Sequence, residues 1–302
     1  MILIVGASTD LGKATARRLL AQRQRVRAMV RAPAKLRDLA AAGAEVVPGD
    51  LRDPASLARA CAGVDGVLAA AAAFDSARGN TPAAVDDLGN RHLIDAARTA
   101  GVKRFVFTSV HNASATHPID LMRAKYRAEA YLRASGLSYT ILRPAVLMEK
   151  FVSLTGDAIQ KSGKALIFGR GANPISMVSV EDVATLAVLA LTGDALRGRA
   201  IEVWGPEPIT FTQIAAAVDR ALGRHSPQRH ISRAMLRLMG VAARPFSPRF
   251  ARMAASGYLM DTTDLRGDPS ALLAEFPMVM TRLEAVAQRM YGTSARERAA
   301  AR

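Results

Sequence analysis

Three clusters of residues in this 302-residue sequence have the types and spacing to do chemistry. The first is the loop GASTDLG, Gly6 to Gly12, which follows the apolar run ILIV and opens a helical pattern at Leu11, Thr15 and Leu19. The first N–H groups of a helix have no partner inside it and lie at the positive end of its dipole, so a strand-turn-helix is a seat for a pyrophosphate. Gly6 permits the tight turn, Gly12 lets the helix pack close to the strand, and Ser8, Asp10 and Leu11 complete the loop. Where a third glycine usually stands the chain has Thr9, whose branched Cβ resists positive φ. Either the loop takes a different path, with the Ser8 and Thr9 hydroxyls supplying hydrogen bonds, or affinity for the ligand is lower.

The second cluster sits where the adenosine end of a dinucleotide would fall. The second strand finishes MVRAPAK, with Arg31 at the ribose position and Lys35 one turn on, and no acid that would accept a 2′-hydroxyl. Arginine suits bidentate contact with a phosphate, which favours NADP(H) over NAD(H). The third strand ends Gly49-Asp50-Leu51, where Asp50 either caps the adenine amino group or caps the following turn.

The third cluster is the candidate reactive set. Leu121, Ala124, Ala128 and Leu132 form a helical apolar stripe, and Lys125 falls within it, facing a sheet rather than water. It reads as a ribose ligand and proton relay, or as a lysine that snorkels to the stripe's edge and pairs with Glu129. Ser109 ends a strand, and His111, Asn112 and His117 follow it; His111 is the candidate proton donor near neutral pH, or a solvated loop residue. A Tyr four residues before the Lys would share its helix face, but Leu121 stands there, and Tyr126 lies ~100° away around the helix.

These residues need a scaffold, and the patterning supplies one. Apolar strand-like runs (ILIVGA, RVRAMVR, AEVVPGDL, GVLAAAAA, RFVFTSV, SYTILRPA) alternate with helical segments over residues 1–146. That rhythm predicts an α/β domain, a doubly wound parallel sheet with helices on both faces. Residues 147–302 read as a smaller, mostly helical lobe for substrate or partner, with 178–204 returning to pack on the first domain. Within it, SGKALIFGRGANP reads as a glycine-rich loop, and Met148, Phe151, Phe168, Met177 and Trp204 either line an apolar acceptor site or fill the core.

Composition narrows the function classes. Cys61 is the single cysteine, which excludes an intrachain disulfide framework, and no His/Asp/Glu cluster has metal-ligand spacing. There is no nucleophile elbow and no Walker lysine. No basic region precedes the short N-terminal apolar run, and no stretch approaches the ~18 apolar residues of a membrane span, so the expected compartment is the cytoplasm. The formal charge of +15 is spread over solvated helix faces, and no nucleic-acid partner is expected. The exception is Arg220 to Arg252, which carries Arg220, Arg224, Arg229, Arg233, Arg237, Arg244, Arg249 and Arg252 and no acid. If Arg229, Arg233 and Arg237 share one helix they stack on one face, toward an anionic partner or membrane surface.

IVGASTDLG, MVRAPAK, GDLRDPASL, GVKRFVFTSV, SGLSYTILRPAVLMEKF and PISMVSVEDVA together resemble the NmrA-like, atypical short-chain dehydrogenase/reductase family over nearly the whole chain. The resemblance implies a Rossmann-type fold and NADP(H) or NAD(H) as cofactor. It implies either a reductase of a small-molecule acceptor such as a quinone or enone, or a cofactor-responsive regulator or assembly scaffold. By position, the phosphate loop falls on Gly6 to Gly12, the 2′-phosphate contact on Arg31, the adenine contact on Asp50 and Leu51, and cofactor-lining backbone on Ala70 to Ala72, Ala71 included. Ser109, Lys125 and Pro144 match the nicotinamide end.

Overall fold

In a computed structural model, which describes residues 1–73, 79–243 and 245–292, ILIV forms β1 (Ile2–Val5), buried at all four positions because strands flank it on both sides. It pairs in parallel with β2 (Val26–Val30) and β4 (Gly66–Ala69), with Ile4 opposite Ala28 and Leu68. β3 (Glu45–Pro48) extends the sheet beyond β2. On the other side follow β5 (Arg104–Thr108), β6 (Tyr139–Pro144) and β8 (Ala200–Val203), giving seven parallel strands in the order β3-β2-β1-β4-β5-β6-β8. The order reverses between β1 and β4, and at such a switch point the carboxyl ends of the strands open a crevice.

The helices follow from apolar stripes and local caps. α1 (Asp10–Ala21) buries Leu11, Thr15 and Leu19, and α3 (Pro54–Cys61) starts at Asp53, whose carboxylate accepts the Ala55 N–H. α2 (Arg37–Ala41) is short. α4 (Asn90–Thr99) is entered through a wider π-helical stretch, Ala83–Gly89, and α5 (Asp120–Ala134) buries Leu121, Ala124, Lys125, Ala128 and Leu132. The doubly wound sheet expected from the sequence is therefore present. The chain divides into two compact units, Met1–Pro144 with Val180–Glu202, and Ala145–Ser179 with Val203–Arg302. The first includes the apolar helix α7 (Val180–Thr192).

The second unit contains α6 (Met148–Ser162), α8 (Phe211–Leu222), α9 (Arg233–Ala242), α10 (Pro248–Thr262), α11 (Ser270–Glu275) and α12 (Leu283–Tyr291). It departs from the sequence reading in two places. The expected loop SGKALIFGRGANP contains a strand, β7 (Ala165–Phe168), which pairs in parallel with β9 (Gln228–Ile231), a partner far away in sequence. Arg229 lies on β9, ahead of the Ser232 cap that starts α9, so Arg229, Arg233 and Arg237 do not stack on one helix. The guanidinium of Arg233 is taken by Asp261 and that of Arg220 by Glu284, while Arg244 lies outside the described residues. Met148, Phe168 and Met177 are core rather than acceptor lining: all three are buried, and Phe151 and Phe168 each meet the Phe211 ring edge-on. Among the described residues no helix is long and apolar enough to cross a membrane.

Cys61 ends α3 in the core of the first unit, and burial pushes its thiol up to about 11. The folded state therefore holds this proton more tightly than the unfolded chain, whose thiol titrates near 9. Stability contributed by the neutral thiol is complete below pH 9 and is lost as pH rises toward 11. At pH 8 Cys61 is expected to resist a thiol-titrating reagent until denaturant is added; rapid labelling of the native protein would contradict its place in the core.

Candidate nucleotide and reductase site

The phosphate loop is built by steric exclusion. Gly6 turns the chain at φ +86, and a Cβ there would stand 2.6 Å from the Ala71 backbone nitrogen. A Cβ on Gly12 would stand 2.3 Å from the Gly6 carbonyl oxygen. Each glycine thus lets one piece of backbone touch another, and neither position admits a larger residue without moving the loop. Thr9 has no need of glycine's freedom, because it sits at φ −76, ψ 159, where a branched residue is comfortable. Its hydroxyl accepts the Gly12 N–H (3.0 Å) and donates to the Gly6 carbonyl (2.9 Å), so it serves as the N-cap of α1. A threonine braces the loop, and its hydroxyl is engaged inside the protein.

A cleft of about 200 Å³ opens beside this loop, at the carboxyl ends of β1, β2 and β4. Gly6, Ser8, Thr9, Arg31, Lys35, Asp50, Leu51 and Ala71 all line it, together with Asn80, which the sequence reading did not single out. Arg31 donates to the Asn80 side-chain oxygen at 2.8 Å, which fixes its guanidinium at the rim. The Asp50 carboxylate accepts the Arg52 N–H (2.9 Å) and pairs with its guanidinium (2.6 Å), and those bonds hold Asp50 below the usual carboxylate range. The Asp50 carboxylate thus caps the following turn while it lines the cleft. Asp10, Leu11 and Gly12 form the first turn of α1 behind the loop; Leu11 and Gly12 are buried there and do not line the cleft.

Ser109, His111, Lys125 and Pro144 gather at the ends of β5 and β6. The Ser109 N–H bonds the Leu142 carbonyl, the His111 N–H bonds the Pro144 carbonyl, and Asn112 turns the chain at φ +60. The Ser109 side chain is 2 % exposed, and its hydroxyl has no hydrogen-bond partner among the described residues. His111 Nδ1 lies 2.7 Å from Glu202 Oε2; the other oxygen of Glu202 pairs with Arg143, which in turn holds Glu129. His117 instead accepts the Ile119 N–H at the start of α5, and burial holds its pKa below the ordinary histidine value.

Lys125 is 2 % exposed. Its ammonium meets Asp86 Oδ1 at 3.1 Å, donates to the Thr108 carbonyl at 2.9 Å and to the Ala71 carbonyl at 3.3 Å, and lies over the Phe107 ring. Glu129 is held by Arg143 and Arg133, so the pairing considered between Lys125 and Glu129 does not form. Asp86 is fully buried on the π-helical stretch, and its Oδ2 accepts the Ala73 N–H at 2.9 Å. Asp86 was missed in the sequence. The available signal was the buried lysine itself, which demands a counter-charge on a neighbouring element.

The NAD(P)H-binding family model matches residues 6–194. The chain belongs to this family. It is of the NmrA-like, atypical short-chain dehydrogenase/reductase type, with the Rossmann-type fold that type shares. The NAD(P)H azoreductase of Xenophilus azovorans is 32% identical over 233 residues, covering 77% of this chain and 77% of the relative. The photosystem II assembly factor Ycf39 of Synechocystis sp. is 30% identical over 300 residues, covering 96% of this chain and 90% of the relative. Among solved structures, the NADPH complex of the quinone oxidoreductase QOR2 from Escherichia coli superposes with a TM-score of 0.76 at 26% identity, covering 97% of this chain and all of that one. The cleft meets the demands of the family's cofactor: glycine backbone admits close approach at Gly6, α1 begins there, and two cations stand at the end of β2.

Gly6→Ala is expected to leave the chain folded but to lower nucleotide affinity at least about tenfold, because the new methyl displaces the Ala71 backbone. Thr9→Ala, which removes the cap, is expected to lower the melting temperature by a stability loss of about 1 kcal/mol. Calorimetric titration and a thermal melt check both; tighter nucleotide binding by Thr9→Ala together with an unchanged melt would contradict the bracing role of Thr9.

Proposed function

We propose that this chain, an NAD(P)H-dependent oxidoreductase, uses NADP(H) to reduce a small apolar acceptor of the quinone or enone type. The observation that carries the choice of cofactor is the rim of the cleft, where Arg31 and Lys35 stand at the end of β2 with no carboxylate from that strand beside them. Arg31, steadied by Asn80, contacts the 2′-phosphate, and Lys35 adds a second positive charge one turn away. When bound, the cofactor supplies the hydride.

The protein's own share of the chemistry is positioning and proton supply. Lys125 acts through the backbone it holds, since the Thr108 and Ala71 carbonyls accept its N–H groups while Asp86 balances its charge. Glu202, as a carboxylate, only accepts, so it sets Nδ1 of His111 as a protonated donor and fixes the orientation of the ring. His111 is then the proton source for the reduced acceptor, the part a tyrosine plays where one precedes the lysine by a turn; here that position is Leu121. The unpartnered Ser109 hydroxyl supplies a further polar contact at the same strand ends.

A second reading rests on the near full-length similarity to an assembly factor: a cofactor-responsive scaffold that binds NADP(H) without turnover. Oxidation of NADPH by a panel of quinones, enones and azo dyes separates the two. The reductase reading expects turnover, a roughly 10–100-fold weaker Kd for NADPH in Arg31→Ala with NADH little changed, and about 10²-fold lower kcat in His111→Asn at unchanged NADPH affinity. Tight NADPH binding with no oxidation by any acceptor would overturn it in favour of the scaffold.

A further inference from the structure

The hairpin of α9 and α10 in the second unit presents an apolar surface. Leu236, Gly240, Ala251, Ala254, Gly257 and Asp261 are its buried residues, and a Cβ on Gly240 would rest 3.5 Å from the Ala255 nitrogen, so small residues let the two helices approach closely. The turn between them is tight: the Ser247 N–H bonds the Ala243 carbonyl at 2.7 Å, and the Ser247 hydroxyl caps α10 by accepting the Phe250 N–H. Met235, Leu238 and Val241 recur every three residues on α9 and form a helical stripe, Phe250 and Met253 lie three apart on α10, and Phe246 stands in the turn between the two helices. Leu238, Val241 and Phe246 are 62%, 61% and 88% exposed, far beyond what scattered surface apolar residues require.

The charge around these stripes has one sign. Residues 220–260 contain no Asp or Glu, and Arg237 and Arg249 are exposed on the same two helices. A second copy of this chain would bring arginines against arginines. An apolar protein groove would leave those cations unused. Large apolar side chains on short helices, flanked by exposed arginine and with their one acid, Asp261, buried and paired to Arg233, match the interface of an anionic bilayer, which takes apolar groups below its headgroups and cations among its phosphates. We infer that the α9–α10 hairpin docks this protein, reversibly, on anionic lipid surfaces. This docking is independent of the reduction proposed above.

Co-sedimentation of the full chain with vesicles tests it, using phosphatidylcholine alone and phosphatidylcholine mixed with phosphatidylglycerol. Binding is expected to the mixed vesicles only and to weaken as salt is raised. It should fall about tenfold or more in Leu238→Ser/Phe246→Ser, and in Arg237→Glu, with the thermal melt and NADPH affinity retained. Three results would overturn the inference: no binding to the mixed vesicles, equal binding to both kinds, or binding that survives Leu238→Ser/Phe246→Ser. A concentration-dependent dimer that the same double variant dissociates would also overturn it, by assigning the stripes to a second copy.

Discussion

The buried ion pair between Lys125 and Asp86 is the interaction around which the site is built. It joins four segments: α5 through the lysine, the π-helical stretch through the aspartate, the chain after β4 through Ala71 and Ala73, and the end of β5 through Thr108. Burying two charges is costly, and removing one partner of such a pair costs about 3–5 kcal/mol, because the other is left without compensation. Here the ammonium donates to two backbone carbonyls and pairs with the Asp86 carboxylate, so both buried charges are compensated. What it fixes is the backbone from Ala71 to Ala73, which is one wall of the cleft.

That wall meets the phosphate loop at the Gly6–Ala71 contact, where a side chain on residue 6 would not fit. Two devices thus converge on one edge of the sheet. Steric exclusion at Gly6 and Gly12 draws the backbone segments together, and the ion pair keeps the second segment from retreating. Thr9 adds a third by tying the first turn of α1 to the Gly6 carbonyl. At the neighbouring strand ends, the Glu129–Arg143–Glu202–His111 chain of charges holds the imidazole through a carboxylate that is itself anchored.

Much of this was legible in the sequence because the determinants are local. A four-residue apolar strand, a glycine turn and a helix stripe announce β1, the loop and α1 within twenty residues, and Arg31 is placed by its position at a strand end. Lys125 could be recognised as buried from its place in the α5 stripe. Its partner could not, since Asp86 and Asp87 stand side by side and only the π-helical path decides which of them turns inward. The effect of Thr9 could not be read for a related reason: the requirement for glycine depends on φ, and φ belongs to the folded loop. The β7–β9 pairing and the Arg233–Asp261 bond join residues far apart in the chain, where periodicity carries no information. Apolar residues such as Met148 and Met177 read equally as ligand lining or core until packing distinguishes them.

The most direct measurement is calorimetric titration of NADPH into the wild-type chain, Lys125→Met and the double variant Lys125→Met/Asp86→Asn, each checked for a cooperative melt. If the ion pair holds the cleft wall, Lys125→Met weakens NADPH binding at least about tenfold, and the double variant, which no longer buries a lone carboxylate, regains stability without regaining that affinity. An unchanged Kd in a folded Lys125→Met protein would contradict the account.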